Sequence, residues 1–387
     1  MLKALFMSFS LYIHIPYCLV KCPYCDFNAY GVRTWPEERY IDALCAELRH
    51  YASQSPWYGQ TVETIYFGGG TPSLFAPTSI ERFLKLLASS CSFAHNLEVT
   101  LEADPATITL EKLADFRSVG INRLSFGTQS FQPTLLKTLG RLHSADDGLR
   151  AIAWARASGF TNLSLDLIFA VPGQTLPMLE SDLSQALSCA PEHISLYNLT
   201  YEENTPFFAM KQKGRLQPVD EDDEVAMYAL VRERCTDRGY CHYEISNFAR
   251  PGFFSRHNAN YWNGGNYLGL GAGAHSFVRE PGWGKRCSNE KNPKIYINKA
   301  LAGGNTQSFQ ETLTRTQALG EFVFLGLRQL DGFAPAAFAE RFTVSLTEEF
   351  PHLTDLFAEG LLTEESGWIK LTPQGLLIAD TVFASFF

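Results

Sequence analysis

The sequence predicts an α/β protein: a partial (β/α)6 barrel, a following α+β region and a small C-terminal domain of winged-helix type. Three observations lead there. Six extended runs, at 11–15, 62–67, 97–102, 122–127, 162–169 and 193–198, recur through the first 200 residues. Amphipathic helical stretches separate them. The tail from 303 onward changes to helices around two short strands.

The extended runs are mostly near-continuous apolar stretches rich in β-branched and aromatic residues, as expected of parallel strands covered on both faces. The intervening "PEERYIDALCAELRHYAS" begins with Pro36 and two glutamates, a favourable helix entry. "APTSIERFLKLLASSC" and "ADDGLRAIAWARASG" repeat the pattern, with Gly159 as the expected C-terminal stop. Six units fall short of the eight of a full barrel, and either form puts chemistry at the C-terminal ends of the strands. The barrel is expected over 1–200. A barrel-completing region follows over 201–302, with the charged helix "VDEDDEVAMYALVRERC" and a Gly-, Asn- and aromatic-rich section. Over 303–387, "TRTQALGEFVFLGLRQLDG" reads as a helix. The rest reads as helix, strand, turn, strand, helix. A lid-like cap is the alternative reading of that last domain.

The 387 residues are 45% hydrophobic, ordinary for a chain with a substantial core. The longest apolar runs are broken by charge, Pro or Gly, so no membrane span is expected. The N-terminal "MLKALFMSFSLYIHIP" lacks a small-residue cleavage site and reads as mature protein. A net charge of −9 argues against nucleic-acid binding. Of nine cysteines, six (Cys45, Cys91, Cys189, Cys235, Cys241, Cys287) show no framework spacing, which points to free thiols in a reducing, cytoplasmic setting.

The other three, Cys18, Cys22 and Cys25, fall within eight residues, directly after the first strand. Zinc sites need four ligands, usually as two separated pairs, and no second pair is present. A cubane iron–sulfur cluster suits the loop better, because closely spaced thiolates can each take one iron and leave one iron open. Three buried free cysteines are the competing reading.

Cys-x3-Cys-x2-Cys after a first strand, with Tyr24 before the third cysteine, resembles the radical S-adenosylmethionine superfamily. The resemblance implies a [4Fe–4S] cluster whose open iron is chelated by S-adenosylmethionine. Further motifs follow in order. "YFGGGTPSLF" supplies Gly68, Gly69 and Gly70, where the lack of a Cβ lets a ligand approach the backbone, with Thr71 next to them. "LEADP" supplies Glu102, "NRLSFGTQSF" Gln129, "LGRLHSA" Arg141 and "LSLDLIFAVPGQT" Asp166. By resemblance, Glu102 bonds the cofactor's ribose. Gln129, Arg141, Asp166, Tyr12, Tyr24 and Thr200 line S-adenosylmethionine sites. Singly, each has a plain alternative: Arg141 as a surface charge, Asp166 as a cap.

Within the superfamily, "YIHIPYC", "GINRLSFGTQSF", "HYEISNFA", "RHNANYWN" and "YLGLGAGAHSF" resemble the oxygen-independent coproporphyrinogen III oxidases and their relatives, the haem chaperones called HemW. The oxidases carry a fourth cysteine and a sizeable N-terminal extension. Here Phe27 stands at the fourth position and 17 residues precede Cys18. Both features favour the chaperone branch, with haem as cargo and an unnamed haem-acceptor protein as partner. A flavodoxin- or ferredoxin-like electron donor is expected if the centre is redox-active, and a dimer is left open. "HNANYW" resembles the branch's HNxxYW motif, which implies haem contact by His257, Tyr261 and Trp262. His14, His242 and His275 are rival iron ligands. The competing readings are a radical decarboxylase and, more remotely, a DNA-reading sensor.

Overall fold

The computed structural model describes residues 8–387. Residues 1–7 of the stretch read as mature N-terminus lie outside the described residues.

One sheet of twelve strands organises the chain. Its strands are β1 (Ser8–Ile15), β2 (Thr61–Gly69), β3 (Ser92–Ala103), β4 (Arg123–Gln129), β5 (Leu163–Phe169), β6 (His193–Asn198), β7 (Cys241–Glu244), β8 (Asn247–Ala249), β9 (Tyr267–Leu270), β10 (His275–Val278), β11 (Lys285–Asn289) and β12 (Gln307–Thr312). Their order is β12-β11-β10-β9-β1-β2-β3-β4-β5-β6-β8-β7. All six expected strands are present and pair in parallel in chain order. A seventh parallel strand, β9, joins the free side of β1. It is four residues long and glycine-containing, too short to stand out from the irregular sequence around it. The flanks turn antiparallel: β10–β12 on one side, β8 and β7 on the other. The two ends, β12 and β7, leave the sheet open.

The strands are not apolar on both faces as expected. They alternate. Leu11, Ile13, Ile65, Phe67, Val99, Leu101, Leu124, Phe126, Leu163, Leu165, Ile194 and Leu196 belong to the main hydrophobic core. The residues between them are polar: Ser10, Tyr12 and His14; Thr64 and Tyr66; Glu98, Thr100 and Glu102; Arg123 and Ser125; Ser164 and Asp166; His193 and Ser195. A side-chain period of two collects these on the other face. One face therefore packs under helices, and the opposite face is a polar interior.

The outer helices form where their end signals predict. Helix α1 (Glu37–Ala52) follows Pro36 and carries Glu37 and Glu38 in its first turn. Helix α2 covers Pro77–Ser90 and α3 Leu110–Ser118, with Thr109 capping α3. After the short α4 (Pro133–Thr138), α5 (Ala145–Ala157) starts on a Ser144–Asp147 capping box. It ends at Gly159, φ +85°, where Phe160 N–H bonds Ala155 O at 3.0 Å. Helices α6 (Leu176–Ser188), α7 (Pro206–Gln212) and α8 (Glu221–Asp237) follow, and Asp220 caps α8. Helix α9 (Arg256–Trp262) holds the HNxxYW residues and is capped by Ser255. Helix α10 (Pro293–Gly303) packs on α1.

The C-terminal segment opens with α11 (Arg315–Arg328) and has its own core, including Leu319, Val323, Phe338, Phe342, Leu353, Leu362, Ile369 and Phe383. Its hairpin, Leu362–Glu365 with Trp368–Leu371, is flanked by helical turns in the expected order. It meets the sheet through Ile245 N–H to Arg328 O and Leu330 N–H to Tyr243 O. All nine cysteines are free. Among the described residues, no helix is long and apolar enough to cross a membrane.

Candidate functional site

A cavity of about 1230 Å³ opens at the C-terminal ends of the parallel strands and reaches into the polar interior. The cysteine loop forms part of its wall. A two-residue ladder, Tyr17 with Tyr30 and Cys18 with Gly31, closes the base of that loop. Cys25 N–H bonds Cys22 O at 3.1 Å, which turns the chain between the two thiols. Asn28 fixes the far side: its Nδ2 donates to Ala272 O and Lys291 O, and its carbonyl lies 2.9 Å from His14 Nε2. Phe27, 63% exposed, stands on the rim.

Cys18 is buried, and that burial pushes its thiol up to about 11. A bound metal is what would ionise it. Arg141 Nη1 lies 3.7 Å from Cys22 Sγ. Its Nη2 is held by Asp104 Oδ2 at 2.6 Å and Gly127 O at 2.8 Å, so a fixed positive charge faces the thiols. Among the described residues, no three His, Cys, Asp or Glu side chains converge as a single ion would require. A cubane takes one thiolate at each of three separate corners, and three thiols on one loop beside a guanidinium fit that group.

The glycine run also answers to the packing around it. A Cβ on Gly69, at φ +113°, would meet the His14 ring at 2.5 Å, and one on Gly70 would meet Tyr17 O at 2.7 Å. The protein's own atoms occupy the space those side chains would need. Gly70 N–H to Ile15 O and Thr71 N–H to Tyr17 O then tie this loop to the start of the cysteine loop. Gly69, Gly70 and Thr71 still line the cavity.

Glu102 lies deeper. Its Oε1 accepts from Tyr66 OH at 2.9 Å and its Oε2 from Gly69 N–H at 3.1 Å, while burial pushes its carboxyl up to about 7. Asp166 accepts from Ser125 and Ser164, and burial raises its pKa too. Gln129 sits at a register shift in β4 with φ +64°, a left-handed conformation rare outside glycine. Tyr24 and Thr200 complete this set on the cavity wall. Of the residues expected around S-adenosylmethionine, Tyr12 stands apart: it does not line the cavity, and its hydroxyl lies 3.1 Å from His14 Nδ1.

The HNxxYW residues, expected at the haem, do not converge on one pocket. His257 is 1% exposed. Its Nδ1 lies 2.7 Å from Thr64 Oγ1 and its Nε2 2.9 Å from Tyr261 OH, so both ring nitrogens are engaged. Glu98 accepts from the His257 and Arg256 N–H groups, seating the first turn of α9 on β3. Burial holds the imidazole neutral, down to about 3. Trp262 faces a separate cavity of about 370 Å³, under the Arg328 guanidinium at 4.4 Å. Asn258 is the member of the motif that lines the large cavity. Of the rival histidines, His14 and His242 are partnered and pushed down to about 4 by burial, and His275 is exposed.

Sequence reading missed Asp104, Arg123, Ser125, Ser195, Asn258 and Arg328, all on the cavity wall. Asp104 had a local signal, since it follows Glu102 in "LEADP". Ser125 and Ser195 could have been found from strand alternation once Glu102 and Asp166 were placed.

Comparison with known proteins identifies the family. The radical SAM superfamily model matches residues 12–186, and the HemN C-terminal domain model matches 313–378. A Bacillus subtilis protein named heme chaperone HemW is 38% identical over 97% of this chain and 98% of its own length. The protein of the same name from Escherichia coli is 34% identical over 97% of each chain. The solved structure of coproporphyrinogen III oxidase (HemN) from Escherichia coli, a radical SAM enzyme, superposes with a TM-score of 0.84 at 25% identity. It covers 98% of this chain and 90% of its own. The chain belongs to the radical SAM superfamily, and within it to the family of the heme chaperone HemW proteins.

Proposed function

We propose that this protein binds haem and passes it to an acceptor protein, using a [4Fe–4S] cluster on Cys18, Cys22 and Cys25 with S-adenosylmethionine beside it. The observation that carries this reading is near-full-length similarity to proteins named heme chaperone HemW. The cysteine loop on the wall of a large cavity, backed by Arg141, supports it.

In this reading Tyr24, Gly69, Gly70, Thr71, Glu102, Gln129, Arg141, Asp166 and Thr200 hold the S-adenosylmethionine. Bound there, the cluster and S-adenosylmethionine supply one-electron chemistry. The chain's part is to aim and enclose. Asp104 fixes Arg141 against the loop, and the bulge at Gln129 exposes Gly127 O to the same guanidinium. The proposal extends to a cytoplasmic setting, to a flavodoxin- or ferredoxin-like donor if electrons are drawn, and to domains spanning 1–200, 201–302 and 303–387.

Anaerobic reconstitution with iron, sulfide, haem and S-adenosylmethionine tests it. Wild type is expected to hold cluster and haem together and to release haem to an apo-haemoprotein. Cys22→Ala is expected to lose cluster iron. Failure of the wild type to retain haem would sink the carrier reading.

The likeness to the HemN structure favours one second reading, oxidative decarboxylation of coproporphyrinogen III. Anaerobic incubation with that substrate and a reductant separates the two, because protoporphyrinogen forms only if the protein is the enzyme.

A further inference from the structure

Arg123 opens β4 and is among the largest fully buried side chains, 2% exposed. Strand alternation turns it to the polar interior with Ser125, and both line the large cavity. Its Nε is buried without a hydrogen-bond partner, and its charge is balanced only through space, by Glu102 and Asp166. Arg141 and Arg156, by contrast, are each paired to a carboxylate. A buried guanidinium left without a partner is costly, and a fold retains one where something else completes it.

The groups around it are already committed. Glu102 and Asp166 feel its charge, but Tyr66, Gly69, Ser125 and Ser164 supply their hydrogen bonds. His193 and His257 are held neutral by burial, and Tyr66 and Tyr243 stay protonated. What remains is a planar donor fork in a cavity whose walls include Ile168, Phe169, Leu196 and Tyr228. A fork of that kind matches a carboxylate.

We propose that Arg123 anchors a carboxylate of the ligand filling the inner end of the cavity, a bulky apolar molecule that carries acid groups. This rests on the haem reading above, since haem carries two propionates on one edge of an apolar macrocycle.

The test titrates the full-length protein with haem and with haem dimethyl ester, followed by absorbance, for wild type, Arg123→Gln and Arg123→Lys, with melting curves to check folding. Wild type is expected to prefer the free acid by about tenfold. Arg123→Gln should lose about tenfold for the acid and nothing for the diester, and Arg123→Lys should retain part of the preference. A wild type that binds both forms equally overturns the inference and leaves the haem reading standing. So does a Gln variant that weakens both forms alike, which is the mark of a merely structural arginine. A wild type that binds neither form overturns the haem reading and this inference with it.

Discussion

The Nδ1 of His257 lies 2.7 Å from the Thr64 hydroxyl, which joins α9 to the inner face of β2. With Nε2 on Tyr261, the imidazole acts as a plug in the polar interior. His257→Ala should strand the Tyr261 hydroxyl, leave Thr64 with Ser10 alone and open a cavity, lowering stability by about 2–4 kcal/mol. Haem bound per folded chain should not change. Denaturant unfolding paired with haem titration checks this. Lost haem binding at wild-type stability would return His257 to the iron.

Arg141 should matter to the redox state of the loop. Its guanidinium is 3.7 Å from Cys22 Sγ and anchored by Asp104. A fixed positive charge favours the reduced, more negative form of a cluster. Arg141→Gln should therefore shift the cluster midpoint potential to more negative values in a spectroelectrochemical titration. An unchanged potential would mean that the guanidinium serves only to hold Gly127 and Asp104.

Gly69→Ala is expected to destabilise the folded chain by more than about 2 kcal/mol, even without cofactor. The backbone is at φ +113°, and the added methyl would meet the His14 ring. Gly159→Ala also sits at positive φ, but no atom lies within 4 Å of its added methyl. It should cost only about 1 kcal/mol. Comparing the two by thermal unfolding separates steric clash from conformational strain.

Burial pushes Glu47 and Glu102 from 4.5 up to about 7. Between those values each is protonated in the folded chain and ionised in the unfolded one. Their contribution is fully present below about 4.5 and is lost as the pH rises through about 7. From about pH 5 to about pH 8, wild type should lose on the order of 3 kcal/mol more than Glu102→Gln does, as read from urea midpoints. Equal losses would show that Glu102 stays ionised throughout.

The parts of this protein that are local in sequence were legible as sequence. The three cysteines need only an eight-residue loop, and the glycine run ends its own strand. Helix ends carried their caps and glycines. The six parallel strands announced themselves by apolar residues, since burial against helices demands such residues whatever the rest of the chain does. Lettered motifs also identified the family, because near-full-length similarity survives in short runs.

Tertiary structure alone decided what the polar half of each strand does. Glu102, Arg123 and Asp166 come from three different strands and meet only because the sheet is parallel and in register. The role of His257 turns on Thr64, 193 positions away. The glycine run's neighbours, too, are the His14 ring and the Tyr17 carbonyl, brought in by β1. Sequence spacing encodes local contacts. The partner of a buried polar group is set by the topology that folds distant strands side by side, and among the described residues that topology decides which buried polar atoms are satisfied and which, such as the Arg123 Nε, are not.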